Sequence, residues 1–131
     1  MKRTIIALAL SLSCFAAMAQ ENTDTRPSQQ KEIMAEDYQI VKDEIVDGVR
    51  YVSAIPSQKV CSRQIDIVIS DGIVRSVTYT RGCEGNAKGI GALIKGMPVN
   101  EAISRLEGIT CGKRGTSCPD QLARVLKALG Y

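Results

Sequence analysis

Between Cys61 and Cys83 the apolar positions alternate. Ile65, Ile67 and Ile69 share one face, which predicts a half-buried strand, and Ser70-Asp71-Gly72 supplies a turn before a second arm. A two-residue Asp71-Gly72 loop would pair Ile69 with Val74 but Ile67 with Ser76, mixing the faces. A three-residue loop with Gly72 left-handed pairs Ile69 with Ile73 and Ile65 with Val77. It keeps the apolar side chains together apart from Arg75, and it is the register expected here. It sets Cys61 opposite Arg81 and diagonal to Cys83, about 7–8 Å away on the same face. A small turn at Gly82 would then bring both sulfurs to one atom.

Beyond Cys83 the period becomes helical. A first helix over about 85–95 turns Ala87, Ile90, Leu93 and Ile94 inward and stops at Gly96. A second, from about Asn100, buries Ala102, Ile103 and Leu106 before Gly108. Gly89 and Gly91 lie inside the first helix rather than between a strand and a helix start, which argues against a phosphate-binding loop. In the last helix Pro119 suits the first helical position, making Cys118 the N-cap and Gln121 the capping-box partner. Leu122, Val125, Leu126 and Leu129 form its inward stripe, with Gly130 as its end. The expected fold is α+β: a small antiparallel sheet packed against three short helices at about 85–95, 100–107 and 119–129. The sheet consists of the hairpin at about 61–81 and a strand near 50–55.

The chain before residue 49 is less patterned. Residues 1–19 combine Lys2 and Arg3, an apolar run from Ile5 to Ala17, and Ala17-Met18-Ala19 before Gln20, the three-part pattern of a cleaved signal peptide. Ser11-Leu12-Ser13 before Cys14 fits lipid attachment poorly. The segment 20–48 is expected to be a linker and N-terminal arm. Glu21 to about Gln30 contains no apolar residue, and residues 31–46 suit a short helix or an irregular arm because their apolar residues fit neither period. Residues 49–131 form the domain, without an internal repeat. The leader implies a periplasmic or secreted protein with no membrane attachment after cleavage; translation from Met34 would instead give a cytoplasmic chain that keeps the whole domain.

Composition narrows the chemistry. There is no histidine among the 131 residues, which removes serine–histidine, cysteine–histidine and histidine–metal schemes together. The formal charge of +3 includes Lys2 and Arg3 of the leader, so the remaining chain is nearly neutral. With aromatic residues also scarce, this argues against a nucleic-acid partner. Four cysteines remain after the leader: Cys61, Cys83, Cys111 and Cys118. All fall at element ends or loops rather than on apolar faces. They lack the paired C-x-x-C spacing of zinc ribbons, so their number alone is a weak metal signal. At the start of a helix, Cys118 faces the positive end of the helix dipole, with Lys113 and Arg114 nearby, and this setting favours the thiolate that metal or redox chemistry requires.

Val60-Cys61-Ser62, Gly82-Cys83-Glu84-Gly85-Asn86, Leu106 to Gly112 and Thr116-Ser117-Cys118-Pro119-Asp120-Gln121-Leu122-Ala123 resemble the TSCPD domain family over about Tyr51 to Leu129. The family occurs alone and at the C-terminal end of adenosylcobalamin-dependent (class II) ribonucleoside-diphosphate reductases. The resemblance implies metal ligation by Cys61, Cys83, Cys111 and Cys118. It also implies a context of ribonucleotide reduction, with a reductase or another protein as partner. A more distant similarity is to U-type iron–sulfur scaffold proteins, whose three cysteines match Cys61, Cys83 and Cys118. Arg63 and Ser117 depart from the scaffold's acid and histidine, its chaperone-binding loop is absent, and Cys111 would supply the fourth thiolate.

Three readings follow. In the first, four thiolates hold zinc, with an iron–sulfur cluster as the alternative, in a closed site without an open coordination position. Adenosylcobalamin would enter only through a larger reductase. The chain has no barrel for radical chemistry, no cobalamin site and no nucleotide pocket, so it would not catalyse alone. If an activity follows from the family, it is that of class II ribonucleoside-diphosphate reductase. In the second, Cys118 attacks and Cys111 resolves in thiol redox chemistry. In the third, two disulfides staple an exported domain. The leader conflicts with the reductase context, since reductases and their nucleotides are cytoplasmic.

Overall fold

The computed structural model describes residues 37–131; the expected signal peptide, and the linker as far as residue 36, lie outside them. The order of elements is β1 (Tyr38–Val46), β2 (Val49–Pro56), β3 (Gln64–Ser70), β4 (Ile73–Thr80), α1 (Glu84–Ile94), α2 (Val99–Leu106), a 3-10 turn (Gly112–Arg114) and α3 (Cys118–Ala128). The four strands form one antiparallel meander in the order β1-β2-β3-β4. The expected α+β class therefore holds, with one strand more than the sequence pattern gives.

That extra strand is β1, in the segment expected to be a short helix or an arm. Two features hide its period. A bulge lies between Ile40 and Lys42, so apolar residues on either side of Val41 fall out of phase. As an edge strand it also leaves Val41, Ile45 and Val46 at least half exposed. It is held by its pairing with β2 and by side-chain bonds to that strand, which is itself tied to the end of the last helix. Arg50 donates from Nε and Nη2 to the two carboxylate oxygens of Asp43, each at 2.7 Å, and from Nη1 to the Leu129 carbonyl at 2.9 Å.

The β3–β4 register corrects the expected three-residue loop. Asp71 and Gly72 are both left-handed, with φ of 53° and 69°, as a two-residue type I′ turn requires. The turn pairs Ser70 with Ile73 and Ile69 with Val74. The mixing of faces that disfavoured this turn is relieved by a bulge at Arg75, after which Ile67 meets Val77 and Ile65 meets Tyr79. Pairing ends at Gln64 and Thr80. Carried past the strand ends, this register sets Cys61 directly opposite Cys83, not diagonal to it.

The core lies between one face of the sheet and the helices. Ile65, Ile67 and Ile69 are essentially inaccessible, as are Leu122, Val125 and Leu126 of α3. Each such side chain contributes about 1.5–3 kcal/mol by leaving water. The segment Gly96–Val99 pairs with the start of the second hairpin arm: Gly96 N–H and Val74 N–H bond to the Val74 and Met97 carbonyls. Among the described residues no helix is long and apolar enough to cross a membrane.

Helix α1 packs less deeply than its apolar residues suggest. Ile94 is its buried residue, whereas Leu93, expected inside, is 79% exposed. The helix approaches β4 at Gly91, where a Cβ would stand 2.6 Å from the Val77 carbonyl oxygen. Packing, not phosphate binding, accounts for that glycine.

Candidate metal centre

Four separate chain segments deliver the four cysteines. Cys61 lies in the loop from β2 to β3, Cys83 is the N-cap of α1, Cys111 precedes the 3-10 turn, and Cys118 is the first residue of α3. All four line one cavity of about 460 Å³ between α1 and these loops, and all four thiols are free. Cys118 is half-buried and the other three are exposed.

The expected N-cap of α3 moves by one residue. Ser117 is the cap: its Oγ accepts from Asp120 N–H at 3.2 Å and donates to the Ile109 carbonyl at 2.6 Å. Pro119 accordingly takes the second position, where its missing N–H costs nothing. Cys118 remains within the first turn, at the positive end of the dipole.

Gln121 is released from the capping box and does something else. It is fully buried, its Oε1 accepts from Ser57 N–H at 2.8 Å, and its Nε2 donates to Thr116 Oγ1 at 3.0 Å. Thr116 in turn donates to Asp120 Oδ2 at 2.7 Å. Asp120 Oδ1 accepts from Gly108 N–H at 2.8 Å, and Oδ2 also accepts from Arg124 Nε at 2.8 Å. Cys111 N–H donates to the Thr116 carbonyl at 3.1 Å. The polar residues of Thr116–Gln121 are thus a hub. Gln121 fixes the start of the loop bearing Cys61, and Thr116, Ser117 and Asp120 fix the segment that leads to Cys111. Burial pushes the Asp120 carboxyl up, but the bonds from Thr116, Gly108 and Arg124 outweigh it and hold the group below its ordinary value.

Gly82 performs the matching task for Cys83. It has φ of +95°, and a Cβ there would lie 3.3 Å from the Ser62 backbone nitrogen. The turn after β4 can therefore close against the Cys61-Ser62 backbone, as the sequence suggests for Gly82.

Donors surround the thiols. Ser62 Oγ donates to Cys118 Sγ at 3.2 Å, Arg114 Nη1 donates to Cys61 Sγ at 3.3 Å, and the Tyr79 hydroxyl donates to the Cys118 carbonyl at 3.4 Å. Burial raises the Tyr79 hydroxyl pKa above its ordinary value, and Cys118 adds to the effect. The bond to Cys61, with the charges of Cys61, Cys111 and Cys118, raises Arg114 above its ordinary value. The sequence singles out Arg114 but not Ser62 or Tyr79, whose roles depend on contacts 56 and 39 residues away.

The donor set is chemically suited to a metal that prefers sulfur, since four thiols face one space and two already accept hydrogen bonds of the kind that orient ligands. The geometry is open, however. Among the described residues, no three His, Cys, Asp or Glu side chains are gathered so as to hold a metal ion.

A small meander sheet backed by three helices, with four cysteines around one cavity, defines a compact α+β cysteine module. Residues 38–129 match the TSCPD domain, and the chain belongs to that family. The match begins at Tyr38 and so includes β1, which the sequence motifs did not reach. No curated protein and no solved structure matches the chain.

Proposed function

We propose that this TSCPD domain is a metal-binding module in which Cys61, Cys83, Cys111 and Cys118 hold one zinc ion as thiolates. The observation that carries the reading is that Cys61, Cys83 and the Cys111–Cys118 segment, well separated in sequence, place all four cysteines in the lining of a single cavity. Because the thiols stand apart when free, metal binding would draw the Cys61 loop and the start of α1 inward around the more fixed Cys118. Ser62 and Arg114 would keep their bonds to sulfur and moderate its charge. A closed site of this kind supplies rigidity, not a reactive coordination position.

The family's association with ribonucleotide reductases supports a context in which the module serves a larger protein and does not itself catalyse. The leader-like segment at 1–19 supports an exported form, and the two can be separated by the N-terminus of the protein isolated from its host.

Cobalt(II) titration of the reduced, metal-free chain tests the site. The reading predicts one equivalent bound with the intense thiolate-to-metal absorption of a tetrahedral site. Serine at any of the four positions should weaken it, whereas Cys14→Ser should not. Binding that ignores all four substitutions would overturn the reading.

A further inference from the structure

The cations of this domain are distributed unevenly. Lys42, Arg50, Arg75, Lys88, Arg105, Arg124 and Lys127 each pair with a carboxylate. Arg81 and Arg114 line the thiol cavity, and Lys59 and Lys113 line an adjoining hollow that shares Val60, Cys61 and Arg114 with it. Among the described residues six cations make no carboxylate ion pair; these four gather at the two spaces, Arg63 and Lys95 lie elsewhere, and no acidic residue lines either space. All four are exposed.

The metal site does not account for this excess. Four thiolates around a divalent ion carry a net charge of about −2, which leaves positive charge over, and of the four cations Arg114 is the one bonded to a sulfur. The same mouth is also apolar. Leu93 is 79% exposed and Ile109 44% exposed on its walls, and Ile90, partly buried against the core, also lines it. A volume of about 460 Å³ is more than a metal ion occupies and enough for a bulky side chain.

We propose that this mouth is a docking site for an acidic segment of a partner polypeptide, which seats an apolar side chain against Leu93 and Ile109 while its carboxylates meet Lys59, Arg81, Lys113 and Arg114. Two features favour a polypeptide. The seat is concave, whereas a bilayer presents a broad face. Tyr79 is the aromatic residue of the cavity lining and is turned toward Cys118, leaving no exposed ring for base stacking. The inference extends the metal reading but does not depend on it, because the cations and apolar walls are present with free thiols.

The test is fluorescence anisotropy with the full chain, metal-free and zinc-loaded. The probe is a labelled peptide of Asp and Glu residues flanking a central Leu-Phe pair. Controls replace its acids with Lys, or its Leu-Phe with Ser-Ser. The proposal predicts binding to the first peptide alone, weakened about tenfold between roughly 50 and 300 mM salt as screening grows. The double variant Arg81→Glu/Lys113→Glu and the single variant Leu93→Ser should each weaken peptide binding to the metal-free chain about tenfold, with circular dichroism unchanged. No binding to the first peptide, or binding indifferent to these variants, overturns the proposal. So does preference for phosphatidylglycerol vesicles or a single-stranded oligonucleotide, or self-association through this mouth. Peptide binding without zinc binding would overturn the metal reading alone.

Discussion

Replacing Gln121 with leucine keeps the side-chain volume nearly constant and removes both polar ends at once. The Ser57 N–H, in a residue 5% exposed, would lose the carbonyl that accepts from it at 2.8 Å. A stranded buried donor costs about 1–3 kcal/mol. Thr116 Oγ1 would lose the donor at 3.0 Å but would still donate to Asp120 at 2.7 Å, adding about 0.5–1 kcal/mol. Leucine's more favourable burial offsets about 1 kcal/mol. The expected net loss is about 0.5–3 kcal/mol, or up to about 20 °C in Tm for a domain of this size. Thermal and urea unfolding followed by circular dichroism reads it directly, with the exposed Gln58→Ala as the unaffected comparison. Native hydrogen exchange should also show faster exchange at Val60 N–H, which bonds to the Ser57 carbonyl at the start of the Cys61 loop. A loss below about 0.5 kcal/mol would refute the assignment of Gln121 as the tether of that loop.

Other positions give sharper contrasts. Gly91→Ala should destabilise by about 1–3 kcal/mol because its methyl meets the Val77 carbonyl oxygen at 2.6 Å. Gly89→Ala, two residues away with open space around it, should stabilise by about 0.5–1 kcal/mol through helix propensity. Gly82→Ala should weaken metal binding more than it weakens the fold, since φ of +95° is strained for alanine and the turn sets Cys83 beside Cys61. A titration of metal affinity beside urea unfolding separates the two effects. For Asp120, the lowered folded pKa means that its stabilisation is complete above the unfolded carboxyl value near 4. It is lost as pH falls through the lower folded value. Asp120→Asn should therefore flatten the fall in stability below pH ~4, and an unchanged acid limb would contradict it.

The parts of the fold legible in the sequence are those whose burial repeats locally. Ile65, Ile67 and Ile69 announce β3, and Leu122, Val125 and Leu126 announce α3, because each set is sequestered on one face. β1 escapes because the Val41 bulge breaks its period and its ties to Arg50 act across strands. Its local signal is Asp47-Gly48, both left-handed, between two runs containing apolar residues: the same turn chemistry as Asp71-Gly72. The hairpin register is misread because a bulge at Arg75 has no mark in a two-residue alternation. The cysteines are legible as a set from their positions at element ends and from the motif around Cys118. The task of Gln121 is not, because its partner Ser57 is 64 residues away and a capping box accounts for the same residue locally.

In the proposed site Cys61, Cys83, Cys111 and Cys118 act together on one metal ion. The most direct measurement is the intact mass of the protein from its own host, taken under native and then denaturing conditions. The expected result is a native species heavier than the denatured chain by one zinc ion, and a denatured chain with its thiols fully reduced. A metal-free chain four hydrogens lighter than the reduced sequence would contradict it, and would make the cysteines two disulfides.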